Sequence, residues 1–206
     1  MADDHAMVLA GIGKLLENDC DLIGAVGDGH ALLRAVQQQR PDVVLLDISM
    51  PLLNGIDTCR QLVKSIPKAR VIFLTMHAEV AYIEEAFRAG AAGYLLKRSA
   101  ASELKDAIKV VMRGGRYVTR LIDWKQSCTG KNQTGGKIGE AESLTQRQRE
   151  VLQLVAEGRA NKEIAVLLHV SEKTIDYHKS AIKRELMLAS TAELTRFAIK
   201  HHIIGI

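Results

Sequence analysis

The sequence predicts an α/β doubly wound parallel sheet followed by a small all-α domain. Residues 1–112 alternate short apolar runs with amphipathic stretches, residues 113–143 are rich in glycine and polar side chains, and residues 144–206 show helical patterns only. Alternating strands and helices imply right-handed crossovers and a parallel sheet with helices on both faces. A chain of 206 residues, of which 47% are hydrophobic and 25% charged, is long enough for two such domains.

The first part of the chain predicts strands and helices in alternation. The strands are expected at 22–26, 42–47, 70–75 and 94–96, and the helices at 5–18, up to about 39, 56–66, 79–88 and 101–112. The run Val43-Val44-Leu45-Leu46 indicates a strand that is buried on both faces. Pro51 and the pair Asn54-Gly55 end this strand abruptly.

The last part of the chain predicts four helices, at 146–157, 162–168, 171–188 and 191–200. Thr145 and Gln148 have the spacing of a capping box, and Asn161 and Ser171 are expected N-caps. The tight turn at 169–171 is typical of a helix-turn-helix. The predicted organisation is a domain at 1–112, a linker at 113–143 and a helical domain at 144–206.

Composition limits the class of protein. The net charge of +4 is unevenly spread, with a slightly acidic first part and a basic remainder, which weakly indicates nucleic-acid binding at the rear. No apolar stretch approaches the roughly 20 residues that span a bilayer, and no signal-peptide pattern opens the chain. The three cysteines have neither metal-binding nor disulfide spacing. We therefore expect a cytoplasmic protein with no membrane partner.

Charged residues stand at the carboxyl ends of the predicted strands. Asp47 ends the strand at 42–47, and Asp3, Asp4 and Lys97 occupy comparable positions. Open α/β sheets bind their ligands at this edge. Carboxylates that converge there repel one another unless a cation neutralises them, and oxygen ligands with an open coordination sphere suit Mg²⁺. The sequence thus predicts a Mg²⁺ site formed by Asp3, Asp4 and Asp47.

These residues resemble the receiver domain of bacterial two-component response regulators of the NarL/FixJ class. The match spans nearly all of residues 1–112 and is carried by Asp3-Asp4, Asp47 followed by Met50-Pro51-x-x-x-Gly55, Thr75, and Tyr94-Leu95-Leu96-Lys97. The resemblance implies a flavodoxin-like sheet of strand order 2-1-3-4-5 and phosphorylation of Asp47 by a sensor histidine kinase. It also implies that Tyr94 is a switch between outward and inward rotamers.

The resemblance assigns a role to each of the other site residues. Asp47 is the phosphoacceptor, a carboxylate nucleophile that forms an acyl phosphate. Asp4 is the direct metal ligand and Asp3 an outer one. Lys97 pairs with the phosphoryl oxygens and stabilises the transferred charge, and Thr75 donates its hydroxyl to a phosphoryl oxygen.

One feature departs from the receiver pattern, because Met1-Ala2 stands where an apolar first strand is expected. That strand is central in the order 2-1-3-4-5, so its loss is expected to separate the second and third strands. Five or six missing apolar side chains at about 1.5–3 kcal/mol each would remove roughly 10 kcal/mol. One hypothesis is that the native protein has residues upstream of Met1. The alternative is a degenerate receiver that no longer switches and serves protein contacts.

The last part resembles a LuxR-type DNA-binding domain over about residues 144–200. The matching runs are Leu144-Thr145-x-Arg147-x-x-Glu150-Val151-Leu152, Glu157-Gly158-x-x-Asn161-Lys162-Glu163-Ile164-Ala165 and Val170-Ser171-x-Lys173-Thr174-Ile175-x-x-His178. The resemblance implies a recognition helix at 171–188 in the major groove. The candidates for base contacts are Asp176, Tyr177 and Ser180, and those for phosphate contacts are Asn161, Lys173, Thr174, Lys179, Lys183 and Arg184. The last helix covers the core or forms a dimer contact, and we expect a homodimer in the active state.

The leading interpretation is a DNA-binding response regulator in which phosphorylation of Asp47 controls transcription, rather than an enzyme. A rival is a phosphohydrolase of the haloacid-dehalogenase type, which needs a second Asp two positions after the nucleophile. That position is Ser49, and the rival leaves residues 144–200 unexplained. The second alternative is a DNA-binding regulator with a degenerate, phosphorylation-independent receiver.

Overall fold

The computed structural model describes residues 1–122, 143–201 and 203–204. The chain divides into two compact units, Met1–Asn132 and Gln133–Ile206. The helices of the first unit are α1 (Ala6–Leu16), α2 (Gly29–Gln39), α3 (Gly55–Ser65), α4 (Val80–Arg88) and α5 (Ala100–Met112). Its strands are β1 (Val43–Leu46), β2 (Arg70–Thr75), β3 (Gly93–Leu96) and β4 (Tyr117–Val118).

The four strands form one parallel sheet in the order β1-β2-β3-β4. Leu46 lies opposite Phe73, and Phe73 opposite Tyr94. The predicted strands at 42–47, 70–75 and 94–96 are therefore confirmed, as is the doubly wound α/β class. Each is a run of apolar side chains because helices cover both faces of the sheet.

The two faces of the sheet pack against different helices. Val71 and Phe73 of β2 belong to the larger apolar core, which includes residues of α2, α3 and α4. Ile72 and Leu74 point the other way, into the core shared with α1 and α5. This alternation is the two-residue period of a strand, and it accounts for the burial of nearly every β2 side chain.

A single residue takes the place of the expected first strand. Ala2 bridges Val26 on one side and Leu46 on the other, both in parallel. The Ala2 N–H donates to the Leu45 carbonyl at 2.9 Å, and the Asp47 N–H donates to the Ala2 carbonyl at 2.9 Å. Val26 and β1 thus remain joined, contrary to the separation expected from the sequence. The junction is one residue long.

The predicted strand at 22–26 is wrong except at its last residue. Only Val26 makes a bridge, and Leu22 and Ile23 are about half exposed. A strand is stabilised by a continuous ladder to a neighbour. Ala2 supplies only one such position, so the apolar side chains of this segment have no sheet to join.

Strand β4 lies within the stretch that the sequence assigned to the linker. The Tyr117 N–H donates to the Ala92 carbonyl at 3.1 Å, and Val118 lies opposite Tyr94. The sequence did not indicate this strand, because the preceding pair Gly114-Gly115 is typical of a flexible connection. Here Gly114 has a φ of +81° and reverses the chain after α5, so that β4 returns along β3.

The second unit contains only helices among its described residues: α6 (Gln146–Ala156), α7 (Asn161–Leu167), α8 (Glu172–Glu185) and α9 (Thr191–Lys200). Thr145 and Gln148 close the predicted capping box, and Ser171 accepts from the Thr174 N–H. Asn161 is the first residue of α7 rather than its cap, because the Glu163 carboxylate accepts from the Ala160 N–H at 2.9 Å. No described helix in either unit has the length and apolar character needed to cross a membrane.

Candidate functional site

The predicted strand-end residues meet at one edge of the parallel sheet. Asp47 follows β1, Thr75 ends β2 and Lys97 follows β3. Asp3 follows the bridging residue Ala2, which lies beside β1. The loop after Asp47 folds tightly against it, since a Cβ on Gly55 would lie 1.9 Å from the Asp47 carbonyl oxygen. Only glycine fits there.

One ammonium group joins two buried carboxylates at this edge. The Lys97 Nζ lies 2.7 Å from Asp3 Oδ2 and 2.7 Å from Asp47 Oδ2. The other oxygen of Asp47 accepts from the Ile48 N–H at 2.7 Å. Asp3 and Asp47 are both buried. Two negative charges therefore share one positive charge in a site with little solvent.

This arrangement raises the pKa of Asp47. Burial is the largest cause, and the charge of Asp3 adds to it, although the hydrogen bond from Lys97 opposes the shift. Burial alone would lower the pKa of Lys97, but its two carboxylate partners raise it above the ordinary value of 10.5. The negative charge of ionised Asp47 is thus only partly compensated, and this favours the binding of a further cation.

Asp4 and His5 complete a cluster of possible metal ligands. One ligand atom from each of Asp3, Asp4, His5 and Asp47 lies within 4.8 Å of the others. The His5 Nδ1 is 3.1 Å from Asp3 Oδ1 and 2.8 Å from Asp4 Oδ1. Three carboxylates with an exposed side at Asp4 form a donor set that suits Mg²⁺. His5 was not among the predicted ligands, and its position directly after the two acids is the signal in the sequence that could have indicated it.

The remaining predicted residues of this unit meet at His77. The hydroxyl of Thr75 accepts from the His77 N–H at 3.3 Å, and the Tyr94 hydroxyl donates to the His77 carbonyl at 3.0 Å. Tyr94 is fully buried, so its ring has the inward orientation. The His77 Nε2 is 2.8 Å from the Ser49 hydroxyl, two residues after Asp47. His77 thus connects the loop after β1 and the end of β2 with the Tyr94 hydroxyl, a role that no sequence pattern indicated.

The second unit places the predicted DNA contacts on and beside α8. Ile175 and Ile182 face its core and are fully buried. The exposed predicted residues of this helix are Lys173, Asp176, Tyr177, Ser180 and Arg184, while Thr174, Lys179 and Lys183 are partly exposed. Tyr177 is 67% exposed, which is unusual for a large aromatic side chain.

Three of these predicted residues bond to one another. The Asn161 amide nitrogen donates to Asp176 Oδ1 at 2.5 Å, and the Lys179 ammonium donates to Asn161 Oδ1 at 2.9 Å. Asn161 begins α7, so its amide ties α7 to α8. The chain thereby holds a carboxylate acceptor and a cation in fixed positions on the outer side of α8.

Both parts of the chain match known families. Residues 1–109 match the response regulator receiver domain, and residues 142–198 match the bacterial regulatory proteins of the luxR family. The transcriptional regulatory protein MctR of Rhizobium johnstonii is 35% identical, over 100% of this chain and 94% of that protein. The oxygen regulatory protein NreC of Staphylococcus carnosus is 34% identical, over 99% of this chain and 97% of that one. A solved structure of the response regulator RcsB of Salmonella typhimurium has a TM-score of 0.58 at 27% identity and covers 95% of this chain and 94% of its own.

Proposed function

Because the chain belongs to the response regulators that join a receiver domain to a LuxR-type DNA-binding domain, we propose that it is switched by phosphorylation of Asp47. It is a DNA-binding transcription regulator of a two-component system and not an enzyme. The observation that supports Asp47 as the acceptor is its position at the carboxyl edge of the sheet, where Lys97 Nζ reaches both Asp47 and Asp3 at 2.7 Å.

In the proposed reaction a carboxylate oxygen of Asp47 attacks the phosphorus of a phosphohistidine on a sensor kinase. The new O–P bond makes an acyl phosphate, the P–N bond breaks, and the imidazole leaves with its electron pair. Lys97 stays beside the product and pairs with its phosphoryl oxygens. Asp3, Asp4 and Asp47 would hold Mg²⁺, with Asp4 as direct ligand and Asp3 as an outer one. When bound, this ion neutralises the carboxylates and the incoming phosphoryl group.

Thr75 and Tyr94 would report the modification. In the proposal the Thr75 hydroxyl donates a hydrogen bond to a phosphoryl oxygen, and the hydrogen bond that it accepts from the His77 N–H weakens. The Tyr94 hydroxyl donates to the carbonyl of His77, so a shift of Thr75 that moves His77 alters the hydrogen bond that holds the Tyr94 ring inward. These two residues form the switch in the proposal.

For the second unit we propose that α8 lies in the major groove. Asp176, Tyr177 and Ser180 face base edges, and Asp176 is an acceptor suited to a cytosine amino group. The contacts to phosphates come from Asn161, Lys173, Thr174, Lys179, Lys183 and Arg184. RcsB has been solved as dimers bound to DNA, and by that likeness we propose a homodimer on DNA here.

Acetyl phosphate tests the receiver proposal. The full chain is incubated with acetyl phosphate, with and without Mg²⁺, and its intact mass is recorded beside that of Asp47→Asn. One phosphoryl group is expected on the wild-type chain, only with Mg²⁺, and none on the variant. Equal labelling of both chains would place the acceptor elsewhere, and no labelling would favour the phosphorylation-independent alternative.

Salt dependence tests the DNA-binding proposal. Lys179→Ala should weaken binding to all duplexes and reduce the slope of log affinity against log salt by about one unit. Lys64→Ala removes one exposed positive charge from the first unit and serves as the matched control. An unchanged slope for Lys179→Ala would contradict the phosphate contact.

A further inference from the structure

Another buried carboxylate of the first unit, that of Glu103, lies away from the acidic edge. Glu103 is on α5 and only 5% exposed. A carboxylate is costly to bury unless several donors surround it. The proposed phosphoryl transfer makes no use of Glu103, so its burial needs another explanation.

The donors to Glu103 come from β4 and the residues that follow it. The Tyr117 hydroxyl donates to Glu103 Oε2 at 3.0 Å, and the Arg120 N–H donates to the same oxygen at 3.0 Å. The Thr119 hydroxyl donates to Oε1 at 3.1 Å. We call residues 117–120 and the Glu103 carboxylate the Glu103 clasp. Its hydrogen bonds outweigh the effect of burial and lower the pKa of Glu103, so the carboxylate is stable in its ionised form.

The same segment touches the switch. Val118 lies opposite Tyr94 in the sheet, and the Thr119 N–H donates to the Tyr94 carbonyl at 2.9 Å. The Thr119 hydroxyl is 3.1 Å from that of Ser99, which donates to the Leu96 carbonyl at 3.0 Å.

Lys97 lies between Leu96 and Ser99 in the chain, so the segment contacts residues on both sides of Lys97, at the Tyr94 carbonyl and at the Ser99 hydroxyl. We call the turn Lys97–Ser99 the Lys97 loop. A movement of the Tyr94 backbone or of the Lys97 loop must carry Thr119 with it or break its hydrogen bonds. Residues 117–120 are also the start of the chain that leads from the receiver to the second unit.

We propose that Glu103 is a positioning residue: it holds residues 117–120 against Tyr94 and the Lys97 loop, so that a change at Asp47 reaches the chain leading to the DNA-binding domain. This inference rests on the proposed function, because it needs a phosphorylation event to transmit. A clasp with only a structural role would affect stability and leave the response to phosphorylation intact. The two roles therefore differ in a measurable way.

Three variants separate these roles in the full chain. Glu103→Gln replaces one acceptor oxygen with a donor that faces other donors, so at least one clasp bond is lost. Thr119→Val keeps the side-chain shape and removes the hydrogen bond to Glu103 and the contact with the Ser99 hydroxyl. Asp106→Asn is the matched control, because Asp106 is on α5 and binds Arg120 at 3.3 Å but lies on the surface.

The main measurement is the ratio of DNA affinities with and without acetyl phosphate and Mg²⁺, on a duplex selected by the wild-type protein from a random-sequence pool. Phosphorylation is expected to raise the affinity of the wild type and of Asp106→Asn by the same factor. In Glu103→Gln and Thr119→Val the gain in affinity on phosphorylation should be at least about fivefold smaller than in the wild type. A change in affinity of about fivefold is a typical size for coupling between two sites. The fraction of Asp47 that is phosphorylated should stay within twofold of wild type.

Hydrogen exchange supplies the local readout. The amides of Tyr117 and Thr119, which donate to the carbonyls of Ala92 and Tyr94, should exchange at least tenfold faster in Glu103→Gln than in the wild type, and phosphorylation of the wild type should change their rates.

An undiminished affinity gain in both clasp variants would overturn the proposal. If Glu103→Gln does not fold, Thr119→Val decides the question alone. A wild-type chain that is phosphorylated without any gain in affinity would contradict the proposed function itself, a result distinct from loss of the gain in the clasp variants only.

Discussion

Two buried carboxylate sites in the first unit are built in opposite ways. Asp47 and its neighbour Asp3 share the single ammonium of Lys97, whereas Glu103 alone receives three donors from the segment 117–120. The pKa of Asp47 is raised, chiefly by burial, and that of Glu103 is lowered by hydrogen bonds that outweigh burial. A carboxylate left short of partners is suited to bind a cation and react. One with all its partners holds a segment in place.

Removal of the shared cation should have the largest effect on stability. Lys97→Met keeps about the same side-chain length but leaves Asp3 and Asp47 facing each other without their shared cation, which should cost about 3 kcal/mol of unfolding free energy. Urea unfolding at neutral pH measures this loss. Millimolar Mg²⁺ should restore part of it, because the ion replaces the missing charge. A variant as stable as the wild type without Mg²⁺ would show that the two carboxylates do not need Lys97.

Loss of the Glu103 carboxylate should rank second. Glu103→Ala leaves the Tyr117 and Thr119 hydroxyls and the Arg120 N–H without their acceptor, and the expected loss is about 2 kcal/mol. Thermal unfolding of this variant beside Asp106→Asn measures the difference. The surface pair of Asp106 and Arg120 should contribute little. Equal melting temperatures for the two variants would remove the distinction between the buried clasp and the surface pair.

The two carboxylate sites also differ in how far they could be predicted from the sequence. The apolar runs of β1, β2 and β3 were predictable, and so was the meeting of Asp3, Asp47 and Lys97 at their carboxyl ends. For Asp47 and Lys97 this inference depends only on local patterns and on the rule that parallel strands end at the same edge. Asp3 follows Met1-Ala2 rather than an apolar run, so its position depends on the resemblance to receiver domains.

Contacts that depend on a distant segment were not predictable. Glu103 is one charge among several on an amphipathic helix, and only the return of β4 along β3 buries it. The segment 22–26 has the composition of a strand, but its expected neighbour is reduced to Ala2. His77 joins Ser49, Thr75 and Tyr94 through its backbone and ring, and a lone histidine gives no such signal.

Removal of the Asp47 charge should stabilise the protein, in contrast to the two changes above. Asp47→Asn should raise the unfolding free energy by about 1 kcal/mol at neutral pH, because it removes a buried charge that is only partly compensated. Lys97 keeps Asp3 as its partner in this variant. Urea unfolding in buffer without divalent cations is the measurement. A loss of stability would mean that the ionised Asp47 is well satisfied, and the contrast with Glu103 would disappear.

The smallest effect concerns pH. The pKa of folded Glu103 lies below its ordinary value of 4.5, so its stabilising contribution is fully present above that value and is lost as the pH falls through the folded pKa. The stability difference between the wild type and Glu103→Gln should therefore be constant from pH 7 to about 5.5 and shrink below about 4.5. Urea unfolding at several pH values follows it. A difference that grows on acidification would contradict the lowered pKa.

Reductive trapping of the phosphorylated chain identifies the phosphoacceptor residue itself. Borohydride converts an aspartyl phosphate to homoserine, and peptide mapping then identifies the converted residue. After treatment with acetyl phosphate and Mg²⁺ we predict homoserine at position 47 and at no other aspartate. Conversion at another aspartate, or at none in a chain that carries phosphate, would show that Asp47 is not the phosphoacceptor.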